Sequence, residues 1–201
     1  MQDLPIDKRG YPIPWFVDWF NGEPEFRAMD QRKFVAAINK RLCWTCGKRL
    51  FGEEVFVIGP MCAVNRISSE PPSHRECAIY SATACPFLSK PHMVRREGGY
   101  LAPKGEAAGI MIARNPGVTL LWYTMRHKIL QVPNGVLFEI GRPFKTEWYR
   151  QGRTATRAEV QEAMDSGIPI LRDASMKHDG PAAQPYLDAQ IIDAQKYLPR
   201  Q

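Results

Sequence analysis

The chain reads as an α+β protein: a cysteine–histidine module built on a hairpin and a helix, joined to a small antiparallel β-sheet packed by helices. Three features lead there. Cys43-x-x-Cys46 and His74-x-x-Cys77 bracket a strand-like passage. Residues 109–150 are rich in β-branched and aromatic residues, in short runs separated by turn signals. Beyond them lie two stretches with helical spacing and their own start signals, at Thr156 and at Pro185. On this reading residues 1–29 are an extended aromatic apron, 30–97 a helix plus the metal module, and 98–201 the sheet with two covering helices.

In the apron, Pro12 and Pro14 push their predecessors toward extended geometry. Trp15 and Trp19 are four apart and suit one face of a short helix ending at Asn21-Gly22. Large aromatics of this kind are expected to pack onto the core, with an exposed partner site as the alternative. Asp30 is the N-cap of a helix from Gln31 to about Arg41, with Phe34, Ile38 and Leu42 as its buried stripe. Glu54–Ile58 has strand composition, Gly59-Pro60 reads as a turn, and Met61–Ile67 as the returning strand of a hairpin. Ser73 and Glu76 form a capping-box pattern, which sets His74 and Cys77 on the first turn of a helix, where i and i+3 side chains share a face.

Lys90–Arg96 followed by Gly98-Gly99 reads as an exposed basic linker. The β-rich segments are Ile110–Ile112, Val118–Met125, Val136–Ile140 and Phe144–Tyr149. Asn134-Gly135 predicts a two-residue hairpin turn with positive φ at both positions. Alternation in the last two segments predicts a sheet covered by helices on one side. One covering helix starts at the Thr156/Glu159 capping box and stops at Gly167. The other starts at Pro185 and carries Leu187, Ile191, Ala194 and Leu198 as its stripe, with Asp179-Gly180-Pro181 as the loop between.

Three thiols and an imidazole, Cys43, Cys46, His74 and Cys77, are the donors of a closed structural zinc site, with no position left for water. Gly47 lets the chain fold back around an ion as a knuckle. A redox Cys-x-x-Cys pair is the competing reading, but such pairs belong at a strand-to-helix junction and here Gly47-Lys48-Arg49 leads into a hairpin. Cys62 and Cys85 could replace a ligand, form a second site with His92, or be small buried hydrophobes. Over residues 42–85 the CWTCG and SHREC motifs resemble a treble-clef zinc finger. The wider GPMCAVNR…EPPSH…C…CPFL pattern resembles uncharacterised proteins of bacteria and their phages, a resemblance that implies no activity but a mobile-element setting.

The formal charge is +6 over 201 residues. It is uneven: between Phe26 and Gly52 seven basic residues face a single acid, Asp30. Arg32, Lys33, Lys40, Arg41, Lys48 and Arg49, with Arg95 and Arg96 in the linker, are the candidate contacts for nucleic acid or for an acidic protein partner. A solvated helix face is the alternative. The expected role is binding rather than catalysis, to nucleic acid or a nucleic-acid-handling complex, as in a phage modulator of host machinery. The rivals are a protein–protein adaptor with a purely structural zinc and an HNH-like nuclease. The nuclease reading needs a histidine at the end of the first strand, where Val57-Ile58-Gly59 stands. No nucleotide-binding, serine-hydrolase or metalloprotease motif occurs. No run of about 18 apolar residues and no signal-peptide core is present, and odd cysteines suit a reducing compartment, so a cytoplasmic location is expected.

Overall fold

The computed structural model describes residues 3–85, 88, 108–109 and 115–200. The Lys90–Arg96 linker, with Arg95, Arg96 and His92, and the Ile110–Ile112 segment fall outside these. Helices and antiparallel sheets are mixed along the chain, as the sequence predicts. Strands β1 (Val17–Phe20) and β2 (Glu23–Met29) form a hairpin, followed by helix α1 (Gln31–Lys40). Then come β3 (Glu54–Ile58), α2 (Pro60–Asn65), β4 (Ile67–Ser68) and α3 (Arg75–Ala84). The second half supplies β5 (Thr119–Thr124), β6 (His127–Val132), β7 (Gly135–Ile140), β8 (Lys145–Arg150), β9 (Arg153–Thr154), α4 (Arg157–His178) and α5 (Gln184–Ala194).

Two sheets hold the molecule together. One runs β3-β5-β8-β9 and the other β4-β7-β6, all antiparallel. Thus β3, on the N-terminal side of the undescribed linker, is hydrogen-bonded along its length to β5, from Glu54↔Thr124 to Ile58↔Leu120. The larger sheet is covered on both faces, not the expected single face. Phe56, Ile58, Leu120, Trp122 and Trp148 point into the main core with α2, α4 and α5. Val55, Leu121 and Tyr123 point the other way, against Ala78 and Ala82 of α3. β5 is therefore buried at all six positions, which is why its sequence TLLWYT does not alternate. Among the described residues no helix is long and apolar enough to cross a membrane.

α1 forms where Asp30 caps it, the carboxylate accepting from the amides of Arg32 and Lys33, and Phe34 is buried as expected, with Ala37. Four local expectations are overturned. Trp19 lies on strand β1 rather than on a helix with Trp15. Asn21 (φ 51°) and Gly22 (φ 80°) close the β1–β2 hairpin, so this Asn-Gly is a turn and not a helix end. After β3 there is no returning strand: Pro60 occupies the first turn of α2, a position where its missing N–H costs nothing, so the hairpin expected between the knuckle and the ligand helix does not form. The turn at the second Asn-Gly is shifted by one residue. Val132 pairs with Gly135, making Pro133-Asn134 the loop, and only Gly135 has positive φ (142°). Proline's fixed φ suits the first corner of such a turn and captures it. Finally, α4 has its Thr156/Glu159 capping box but runs through Gly167 and Pro169 to His178. Gly167 is not a stop; it lets α4 approach Met61 of α2, whose Sδ would lie 2.9 Å from a Cβ there.

Candidate metal centre

The chain between α1 and β3 folds into a tight knuckle. Leu42 and Arg49 bridge as an antiparallel pair, Cys43 N–H donates to the Lys48 carbonyl at 2.7 Å, and Gly47 N–H to the Cys43 carbonyl at 2.8 Å. Gly47 has φ +70°, and a Cβ on it would sit 2.6 Å from Cγ of Trp15. Trp15 thus lies on the knuckle, held by its own amide to the Thr45 carbonyl at 2.7 Å, so the apron packs inward here. Phe16 stacks on Trp44 with ring centroids 4.8 Å apart.

The second ligand pair is brought up by the segment before α3. Ser73 exchanges both backbone hydrogen bonds with Val55, and Trp44 N–H donates to the Pro72 carbonyl. Ser73 is not the helix N-cap expected from sequence. Its hydroxyl is buried 3.0 Å from that of Thr45, and His74 occupies the N-cap position without a side-chain cap bond. Tertiary pairing to the knuckle has outcompeted the local capping box.

The result is that Cys43, Cys46, His74 and Cys77 meet, with one ligand atom from each and all four within 4.8 Å of one another. This group could hold a metal ion. His74 Nδ1 lies 3.4 Å from Cys46 Sγ, while His74 Nε2 is 3.0 Å from the Arg49 carbonyl. The carbonyl can only accept, so it fixes the proton on Nε2 and leaves the Nδ1 lone pair facing the thiols. The His74 amide also donates to Cys43 Sγ at 3.3 Å. Cys43 and Cys77 are buried beside Leu50.

Electrostatics show what this crowding costs. A hydrogen bond from the Cys77 thiol draws Cys43 down to about 4, the same bond pushes Cys77 strongly up, and burial raises Cys46. A bound cation would reverse this, stabilising all three thiolates together.

Among the described residues the group contains only these four. Cys62 sits on α2 and Cys85 caps the end of α3. Asn65 Oδ1 accepts the Ile67 amide at 2.9 Å in a backbone turn. The Nδ1 of His127, on β6, lies 2.7 Å from the carboxylate of buried Glu54, which also accepts from Arg41 at 3.0 Å.

The basic residues near the knuckle are largely engaged. Arg32 pairs with Asp30, Arg41 with Glu54 and Lys48 with Asp3, while Lys33 Nζ donates to the Val17 carbonyl. Lys40 and Arg49 are exposed, and the Arg49 guanidinium lies over the ring of Phe51, which is 76% exposed. Sequence reasoning missed Trp15 as the cover of the knuckle and the Arg49 carbonyl as the anchor of His74, because both are long-range contacts with no local pattern.

Fold and site together define an α+β protein with antiparallel sheets and a four-donor cysteine–histidine centre. No protein-family model matches the chain, and neither a curated protein nor a solved structure is significantly similar to it.

Proposed function

We propose that this is a zinc-stabilised binding protein in which the ion is structural and the module around it presents basic side chains to nucleic acid or to a nucleic-acid-handling complex. The closed donor set carries the reading. Around zinc, with Zn–S bonds of about 2.3 Å and Zn–N of about 2.0 Å, tetrahedral edges span about 3.5 to 3.8 Å. The 3.4 Å between Cys46 Sγ and His74 Nδ1 is on that scale, and small side-chain rotations would draw in the rest of the group. Three soft thiolates with one imidazole favour zinc over oxygen-seeking cations. With every position filled by protein, the ion would supply cross-linking and no chemistry: it ties the knuckle to the start of α3.

Exposed Lys40 and Arg49 flank this centre and support contact with phosphate. The resemblance to bacterial and phage proteins adds a mobile-element setting, such as modulation of host machinery. Trp19, 43% exposed, favours the second reading, an adaptor whose partner is an acidic protein.

The test is binding of labelled nucleic acid at low and rising salt by wild type and by Lys40→Glu/Arg49→Glu. Arg41 is left alone, because its reversal would set a second carboxylate against buried Glu54. The double variant should keep its metal, bind more weakly and show a duplex salt slope shallower by about 1.8, two contacts at about 0.9 each. Absence of retention even at low salt would remove the nucleic-acid reading and leave the adaptor.

A further inference from the structure

Away from the metal centre, the two chain crossings that link the sheets meet at one end of the molecule. The β5–β6 connection is Met125-Arg126 and the β7–β8 connection is Gly141–Phe144. They are fastened together. Gly141 N–H donates to the Arg126 carbonyl at 3.0 Å, and the hydroxyl of buried Thr124 lies 3.0 Å from the Arg126 carbonyl and 3.2 Å from that of Arg142. The approach is so close that a Cβ on Gly141 would lie 2.2 Å from the Arg126 carbonyl oxygen. Glycine is required there by contact, not by φ.

This construction holds two exposed arginines, Arg126 and Arg142, on adjoining backbone. Neither has a carboxylate partner among the described residues. The neighbouring cations do: Arg41 pairs with Glu54, Lys128 with Glu139 and Lys145 with Glu147. Half-buried Glu53, at the entry to β3, is the acid at this end with no assigned partner. Two guanidiniums anchored on adjoining backbone can reach one anion together, and their forked donors match phosphate oxygens. Beside them Met125 is 57% and Phe144 56% exposed. The Phe144 amide donates to the Tyr123 carbonyl at 3.0 Å and its ring packs edgewise on Tyr123, with centroids 6.2 Å apart.

We propose that Arg126 and Arg142 clamp a backbone phosphate of single-stranded nucleic acid and that Phe144 stacks on an adjoining base. The inference rests on the nucleic-acid reading above and moves its principal contact to this end of the sheet. A single strand is favoured over a duplex because a lone exposed ring can use only an accessible base face. A protein partner would want a larger continuous apolar patch than Phe144 and Met125 offer beside two arginines.

The experiment is fluorescence anisotropy with labelled oligothymidine and a matched duplex, on wild type, Arg126→Gln/Arg142→Gln, Phe144→Ala and Lys40→Glu/Arg49→Glu, each verified as folded and metal-loaded. Wild type should prefer the single strand. The arginine pair variant should flatten the log–log salt slope by about 0.7, the value for the one phosphate the pair shares. Phe144→Ala should weaken binding about five- to hundredfold. Binding that survives in the arginine variant but is lost in Lys40→Glu/Arg49→Glu overturns the clamp and keeps the nucleic-acid reading. Preference for duplex, or indifference to Phe144→Ala with full competition by inorganic pyrophosphate, also overturns it. No binding by wild type at low salt overturns both.

Discussion

Gly47 shows how much one residue can decide. Its φ of +70° and the Trp15 ring lying where a Cβ would stand leave no space for any other side chain. Gly47→Ala should destabilise the protein by more than about 1 kcal/mol and loosen the knuckle that carries Cys43 and Cys46. Thermal melting together with metal content would check this, and an unchanged melting temperature would show that Trp15 can yield. Glu159 offers a pH test. Its hydrogen bond from Arg153, reinforced by the Thr156 amide, draws its carboxyl down from the ordinary 4.5 to about 2. A depressed folded-state value means stabilisation that is complete above about pH 4.5 and is lost as the pH falls toward 2. Glu159→Gln keeps the capping geometry but not the charge. The stability difference between wild type and this variant, from denaturant midpoints, should therefore shrink on acidification through that window; a difference independent of pH would mean the Arg153 pair contributes nothing.

At the scale of elements, the two Asn-Gly pairs are instructive. At Asn21-Gly22 the pair is itself the hairpin turn, with positive φ at both residues. At Asn134-Gly135 the preceding Pro133 takes the first corner and moves the turn back by one. Gly135 is still needed, because it holds φ 142° and an added Cβ would lie 3.2 Å from Cβ of Ala108. Gly135→Val should cost more than about 1 kcal/mol, read as a lower melting temperature; a neutral result would mean the β6–β7 turn relaxes freely. The same competition between local signal and packing decides α4, where Gly167 looks like a stop but serves the contact with Met61.

For the whole molecule, the metal centre is where four distant donors must be held together without an extensive core of their own. Cys43, Leu50 and Cys77 form a small cluster apart from the main one. Protein purified without added metal should carry close to one equivalent of zinc by elemental analysis. Stripping it should lower stability by about 4 kcal/mol if free zinc stands near a thousand times its dissociation constant, and Cys77→Ser should abolish stoichiometric loading. A metal-free wild type with an unchanged melting transition would refute the structural role.

Donor chemistry, helix starts and strand composition were legible in the sequence because each depends on neighbours in the chain. The Cys43/Cys46 and His74/Cys77 pairs, the Asp30 cap of α1, the Thr156/Glu159 box and the strand character of Val136–Ile140 are all local matters, decided by spacing and side-chain type. What tertiary structure decided is which partner each local signal met. Ser73 gave up its cap for a buried bond to Thr45, Met61–Asn65 became helix under α4 and α5, and β3 paired with β5 instead of with its sequence neighbour. Such choices are settled by burial and by backbone hydrogen bonds between segments far apart in the chain, and these outweigh the few tenths to one kcal/mol at stake in a cap or a turn.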